Sequence, residues 1–249
     1  MSTPATTVAA ATKMTIRGTT ARIRGAAAGA WEAAAKRLGA ALSLAVTLGA
    51  VGGCGSIPAE RLPPAAAPPR SPPLTRTPAG TVTPLSDTAR GTPTATSSAP
   101  LHAGRRLAVL SRRDRVLVLY DTPSHRRLGS APAGVGPTHV ACLDRGPCYV
   151  TDTRGDALLV YAVGDDVEPT RRYRLAGGPY ALVLDRERRR LFVTLPGRNE
   201  LVELIAHGRP HVLRRWPTVR QPNAINIDER TGTVLVTGSA DHVTERVAP

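Results

Sequence analysis

From residue 104 onward the chain alternates strand-length apolar runs with short polar turns, and the alternation repeats. Four segments align without a gap: "VLSRRDRVLVLY" from 109, "VTDTRGDALLVY" from 150, "VTLPGRNELVEL" from 193 and "VTGSADHVTERV" from 236. Their offsets are 41, 43 and 43 residues. A second anchor keeps step, because "GPTHVACLD", "GPYALVLD" and "QPNAINID" place Pro137, Pro179 and Pro222 at intervals of 42 and 43. Within the second repeat the pattern predicts strands over 138–143, 148–152, 157–162 and 170–175. Inner runs such as "ALVL" and "VLVLY" are apolar on both faces, as expected of sheets covered on both sides. Outer runs such as "TRRYRL" and "HVLRRW" alternate Arg with apolar residues, as half-exposed strands do. Turn chemistry falls between them, with Asp144, Arg145 and Gly146 in one repeat and "DERTG" from Asp228 in another.

A period of about 40–45 residues with four strands per unit is that of a propeller blade. The expected fold class is therefore all-β: a β-propeller of about four blade repeats over 104–249, preceded by a disordered Pro/Thr/Ala-rich linker. Tyr149, Val150 and Thr151 resemble the opening of the YVTN-type β-propeller repeats, whose consensus is Tyr-Val-Thr-Asn, a short turn and an alternating strand. Phe192-Val193-Thr194 and Leu235-Val236-Thr237 are close variants, the family's turn Asn falls on Asn199, and Asp156 stands at the equivalent place. The resemblance implies the fold. It does not imply a function, since related propellers serve as surface proteins, binding modules and, with extra residues, enzymes.

Such rings commonly close with about six to eight blades, whereas this chain has four repeats. Residues 97–102 make a poor first inner strand, and no outer strand follows the third strand of the last repeat. An open arc with two uncovered, apolar blade faces is expected, completed by further copies or left open by truncation. "HVTERV" is polar in the manner of a capping repeat.

The N-terminal third reads differently. In "AKRLGAALSLAVTLGAVGGCGS", Lys36 and Arg37 precede the apolar and small run 38–53, and Cys54 follows. Sixteen residues of helix rise about 24 Å, short of the roughly 30 Å of a bilayer core, so removal fits better than a span. Val51, Gly52, Gly53 and Cys54 resemble the lipobox of a bacterial lipoprotein signal peptide. That resemblance implies lipidation at Cys54, a signal peptide over 1–53 and a lipid-anchored protein on the extracytoplasmic face of the cell membrane. Met14 is an alternative start, and an uncleaved Ala-rich helix or ordinary secretion with an incidental Cys54 stay open. Residues 54–103 are dense in Pro, Ala, Thr and Ser, and are expected to form a semi-stiff tether.

Composition adds little to this picture. The formal charge of +14 is spread along the chain, with six basic and one acidic side chain in 1–53, four and two in 54–103, and 23 and 16 in 104–249. Such dispersion, carried almost wholly by Arg, argues against a nucleic-acid partner. Beyond Cys54 the cysteines form one pair, Cys142 and Cys148, placed to face each other across a hairpin and form a disulfide in an oxidising compartment. Two small buried thiols are the alternative. No His lies at ligand spacing from them, and neither metal nor cofactor is expected. No nucleophile elbow, H-E-x-x-H helix, P-loop or dinucleotide fingerprint occurs, so no catalytic residue is assigned. Thr138, Tyr180 and Asn223 follow the repeated prolines at the starts of the inner strands, where propeller ligands enter, and are the candidate binding residues. The expected role is a lipid-anchored binding or scaffold module for a protein or cell-envelope ligand, with self-association, rather than an enzyme. The alternative is a propeller enzyme, either a lactonase-like hydrolase or a quinone-dependent oxidoreductase.

Overall fold

The computed structural model describes residues 64–85 and 97–249. The expected signal peptide and the lipidation of Cys54 lie outside the described residues. Of the two compact units into which the chain divides, the described strands all belong to Ala59–Pro249.

The first strand, β1 (Thr81–Pro84), precedes the repeats. The first blade follows with β2 (Ser98–Leu101), β3 (Arg106–Ser111), β4 (Val116–Asp121) and β5 (Arg127–Pro132). The second has β6 (Pro137–Cys142), β7 (Cys148–Asp152), β8 (Ala157–Val163) and β9 (Val167–Arg174). The third has β10 (Leu182–Asp185), β11 (Arg190–Leu195), β12 (Glu200–Ile205) and β13 (Val212–Pro217). The last has β14 (Pro222–Asp228), β15 (Thr233–Gly238) and β16 (Val243–Val247). All pairings are antiparallel, and each of the first three blades is a four-stranded sheet in simple meander order. The repeat alignment is visible in the backbone. Its seventh position, between the second and third strands, holds Arg115, Asp156, Asn199 and His242, all left-handed with φ of 56°, 48°, 49° and 51°.

The last blade corrects the expected strand count. Its outer strand is β1, which pairs with β16 in the register Thr81↔Arg246 to Pro84↔Val243. The propeller thus takes β1 from the stretch read as tether, β2 falls on the weak inner strand expected over 97–102, and all four blades carry four strands. Composition misjudged this stretch because an edge strand is held by main-chain hydrogen bonds, which need no apolar side chains.

Three apolar clusters lie between consecutive blades. One joins Leu101, Leu110, Leu117 and Leu119 to Val140, Val150, Leu159 and Tyr161; the next joins Tyr149, Leu158 and Val160 to Leu184, Leu191, Val193 and Val202; the third joins Phe192 and Leu201 to Ile225, Val234, Val236 and Val247. Among the described residues no cluster joins the fourth blade to the first, so the arrangement is an unclosed arc. The two open faces differ. Leu107, Val109, Val116, Val118 and Tyr120 stand half-buried on that of the first blade. Leu235, Thr237, Thr244 and Arg246 alternate with buried neighbours on that of the fourth, so the expectation of two apolar faces holds for one.

Candidate functional site

Loops entering the inner strands lie beside the turns between second and third strands. Thr153 N–H donates to Gly136 O at 2.9 Å, Thr218 N–H to Asn199 O at 2.9 Å and Ser239 N–H to Gln221 O at 3.0 Å. These bonds gather the two sets of loops into one face. Buried carboxylates lock it. Asp152, 2% exposed, accepts from the N–H groups of Val135 (3.1 Å), Gly136 (2.7 Å) and Gly155 (3.2 Å). Glu245, fully buried, accepts from the Val219 N–H (3.2 Å), the Gly80 N–H (2.7 Å) and the Thr218 hydroxyl. The Glu of "HVTERV" is thus an internal clamp that also holds the start of β1.

The three candidate binding residues are on this face in different surroundings. Thr138 is fully buried, its hydroxyl 2.9 Å from that of Thr151 and 2.8 Å from that of Thr153. Tyr180 is half-buried; its carbonyl accepts the Thr151 hydroxyl at 2.7 Å. Asn223 is half-buried and donates to the Ser239 hydroxyl at 2.8 Å. Thr138 and Tyr180 belong to one cluster, and Asn223 belongs to another, around Gln221.

A residue that sequence reasoning passed over stands in the first cluster. His139 is 3% exposed, and its ring meets the Tyr180 ring edge-on at 4.8 Å between centroids. Its Nδ1 has no hydrogen-bond partner. Burial, reinforced by the Arg112 guanidinium and opposed by a main-chain hydrogen bond to Tyr180, lowers its pKa to about 4. The imidazole is therefore neutral at pH 7, with an unengaged ring nitrogen. A signal was available, because His139 occupies the slot filled by Ala181 and Ala224 in the following repeats.

Residues 64–80 cross the same face as a strap. Its carbonyls accept from the loops: Pro64 O from Arg154 Nη2 (3.0 Å), Pro69 O from Gln221 Nε2 (2.9 Å) and Pro72 O from Asn199 Nδ2 (2.9 Å). Ser71 is gripped at both ends, its N–H donating to Gln221 Oε1 at 3.0 Å and its hydroxyl to Pro196 O at 2.7 Å. Proline carbonyls suit this role, since the rings hold the chain extended and the oxygens have no helix or sheet to satisfy them. Close approach is secured by Gly178 (φ 64°), where an added Cβ would lie 2.5 Å from the Pro69 ring. Beneath the strap, Pro72, Leu74, Arg198 and Asn199 enclose a cavity of about 70 Å³.

On the opposite ends of the strands, Cys142 and Cys148 are joined by a disulfide with Cα atoms 4.1 Å apart, closing the first hairpin of the second blade. Among the described residues no group of three or more His, Cys, Asp or Glu is placed to hold a metal ion.

No family model matches the chain, and no curated protein matches it. Solved structures do. The chain is similar to the β-propeller domain of Myceliophteria thermophila Cps50 (Swd1), with a TM-score of 0.52 and 10% identity over 62% of this chain and 53% of that one. It is similar to Kuenenia stuttgartiensis hydrazine synthase (TM-score 0.53, 13% identity, 63% and 50% covered). It is also similar to dihydro-heme d1 dehydrogenase NirN in complex with DHE (TM-score 0.53, 19% identity, 61% and 34% covered). At these identities the fold alone is shared, and the chain spans about half or less of each of these three proteins. The class is a propeller-like arrangement of four blades. The expectation that the chain is not an enzyme is corrected here, because two of these three proteins are enzymes by name. Missing motifs weigh little against catalysis in this fold, since propeller sites are assembled from loops of different blades and leave no contiguous signature.

Proposed function

We propose that the chain is a propeller enzyme of the cell envelope, working at the strap-covered loop face with His139 as its proton-accepting group. The observation that carries this reading is the neutral, 3% exposed His139 with an unpartnered Nδ1 beside Tyr180. Burying an unpaired polar nitrogen costs free energy, and such groups cluster where chemistry is done. A neutral imidazole with an unengaged ring nitrogen can accept a proton, which supports hydrolysis of a strained ester such as a lactone; its lowered pKa makes it a weak base, so the rate gain expected from it lies at the low end for general bases. An oxidoreductase is the second reading, favoured by the name of one of these enzymes, a dehydrogenase. Lipidation at Cys54 belongs to this proposal: Pro64, the first described residue of the strap, lies ten residues further on.

Hydrolysis of δ-gluconolactone, followed with a pH indicator, tests the reading. The wild-type chain is expected to accelerate it and His139→Gln to lose about a hundredfold of that rate. Equal rates for the two proteins would reject His139 as the base.

A further inference from the structure

We infer that two copies of this chain complete one ring, the open face of each fourth blade packing on the open face of the other copy's first blade. The repeat alignment locates the need. Leu107, Val109, Val118 and Tyr120 of the first blade occupy the slots of Cys148, Val150, Leu159 and Tyr161 in the second and of Leu191, Val193, Val202 and Leu204 in the third. Those eight side chains are buried against the preceding blade, from fully to 8% exposed, whereas the four of the first blade stand half-buried with no blade before them among the described residues. The first blade therefore keeps the apolar pattern of a covered sheet.

The fourth blade keeps part of the matching pattern. Thr237 stands in the slot of Thr151, whose hydroxyl donates across the blade boundary to Tyr180 O at 2.7 Å. Leu235 stands in the slot of Tyr149 and Phe192, both of which pack on the next blade.

The size of the uncovered surface favours a second copy as the occupant. One face of four strands about 4.8 Å apart and about 20 Å long covers roughly 400 Å². A ring of two arcs has two junctions and four such faces, about 1,600 Å² in all, the size of a stable interface; a single junction has about half of that.

A two-fold axis along the ring axis makes the two junctions equivalent, so the assembly is closed. The inner strands of both copies would then surround one axial opening.

Light scattering of the full chain in a mild detergent, at micromolar concentration, tests the inference. The wild-type protein is expected at twice the chain mass. Val118→Arg on the first blade and Thr244→Arg on the fourth should each halve that mass while keeping the near-ultraviolet spectrum of the folded chain. Thr244 lies on a polar face and tolerates Arg in the single copy. A monomeric wild type, an open-ended series of oligomers, or a dimer that withstands Thr244→Arg would each overturn the ring, the last by showing that first blades pair with each other.

Discussion

Replacing Glu245 with alanine should destabilise the chain by about 3 kcal/mol, since each buried donor left without an acceptor costs about 1–3 kcal/mol. Three donors depend on this carboxylate: the Val219 N–H, the Gly80 N–H and the Thr218 hydroxyl. Gly80 lies near the surface and can turn to water, which keeps the total below the sum of three full penalties. Because the side chain itself is fully buried, no solvent replaces it at the other two. Asp152→Ala should cost a similar amount, for the Val135, Gly136 and Gly155 N–H groups rest on one of its oxygens. Urea unfolding measures both. A loss under about 1 kcal/mol would show that the loops do not depend on these clamps.

Stability should also fall by about 3 kcal/mol as the pH is lowered from 6.5 to 4, through His139 alone. Unfolded, the imidazole takes a proton near its ordinary pKa of 6.5; folded, burial holds it at about 4. The unfolded chain therefore binds more protons across this window. The contribution is complete above pH 6.5, declines as the pH falls, and is gone below about 4. Facing the ring are Tyr180 and, by its charge, Arg112, whose guanidinium opposes protonation. Asp121 and Asp228 titrate below the usual carboxylate range, because hydroxyls of Ser124 and Thr231 donate to them, and so fall outside the window. In His139→Gln the decline between 6.5 and 4 should disappear. Persistence of the full slope would place the titrating group elsewhere.

Much of the fold was legible because blades repeat. The period of about 42 residues, the second-blade strands and the facing of Cys142 and Cys148 all follow from a pattern in which apolar side chains mark buried strands. Strand β1 escaped that logic. Its four residues, Thr81–Pro84, are all exposed and contribute hydrogen bonds to β16, a term that leaves no apolar trace. The strap escaped for the same reason, since Arg154, Asn199 and Gln221 hold its proline carbonyls and hardly touch its side chains. His139 was hidden differently. It sits among six histidines in the sequence and only its place in the repeat, opposite alanines, marks it as a departure.

A segment read as a tether folds back to finish the last blade of an open arc. Amide exchange at its N-terminal strand tests this most directly. Ala79 N–H donates to Pro217 O at 3.0 Å, Gly80 N–H to Glu245 Oε1 at 2.7 Å and Leu85 N–H to His242 O at 2.8 Å. These three amides should exchange many times more slowly than an unstructured chain, and Glu245→Ala should release Gly80 first. Exchange at the unstructured rate at all three would contradict the account, leaving the fourth blade with three strands and the strap unattached.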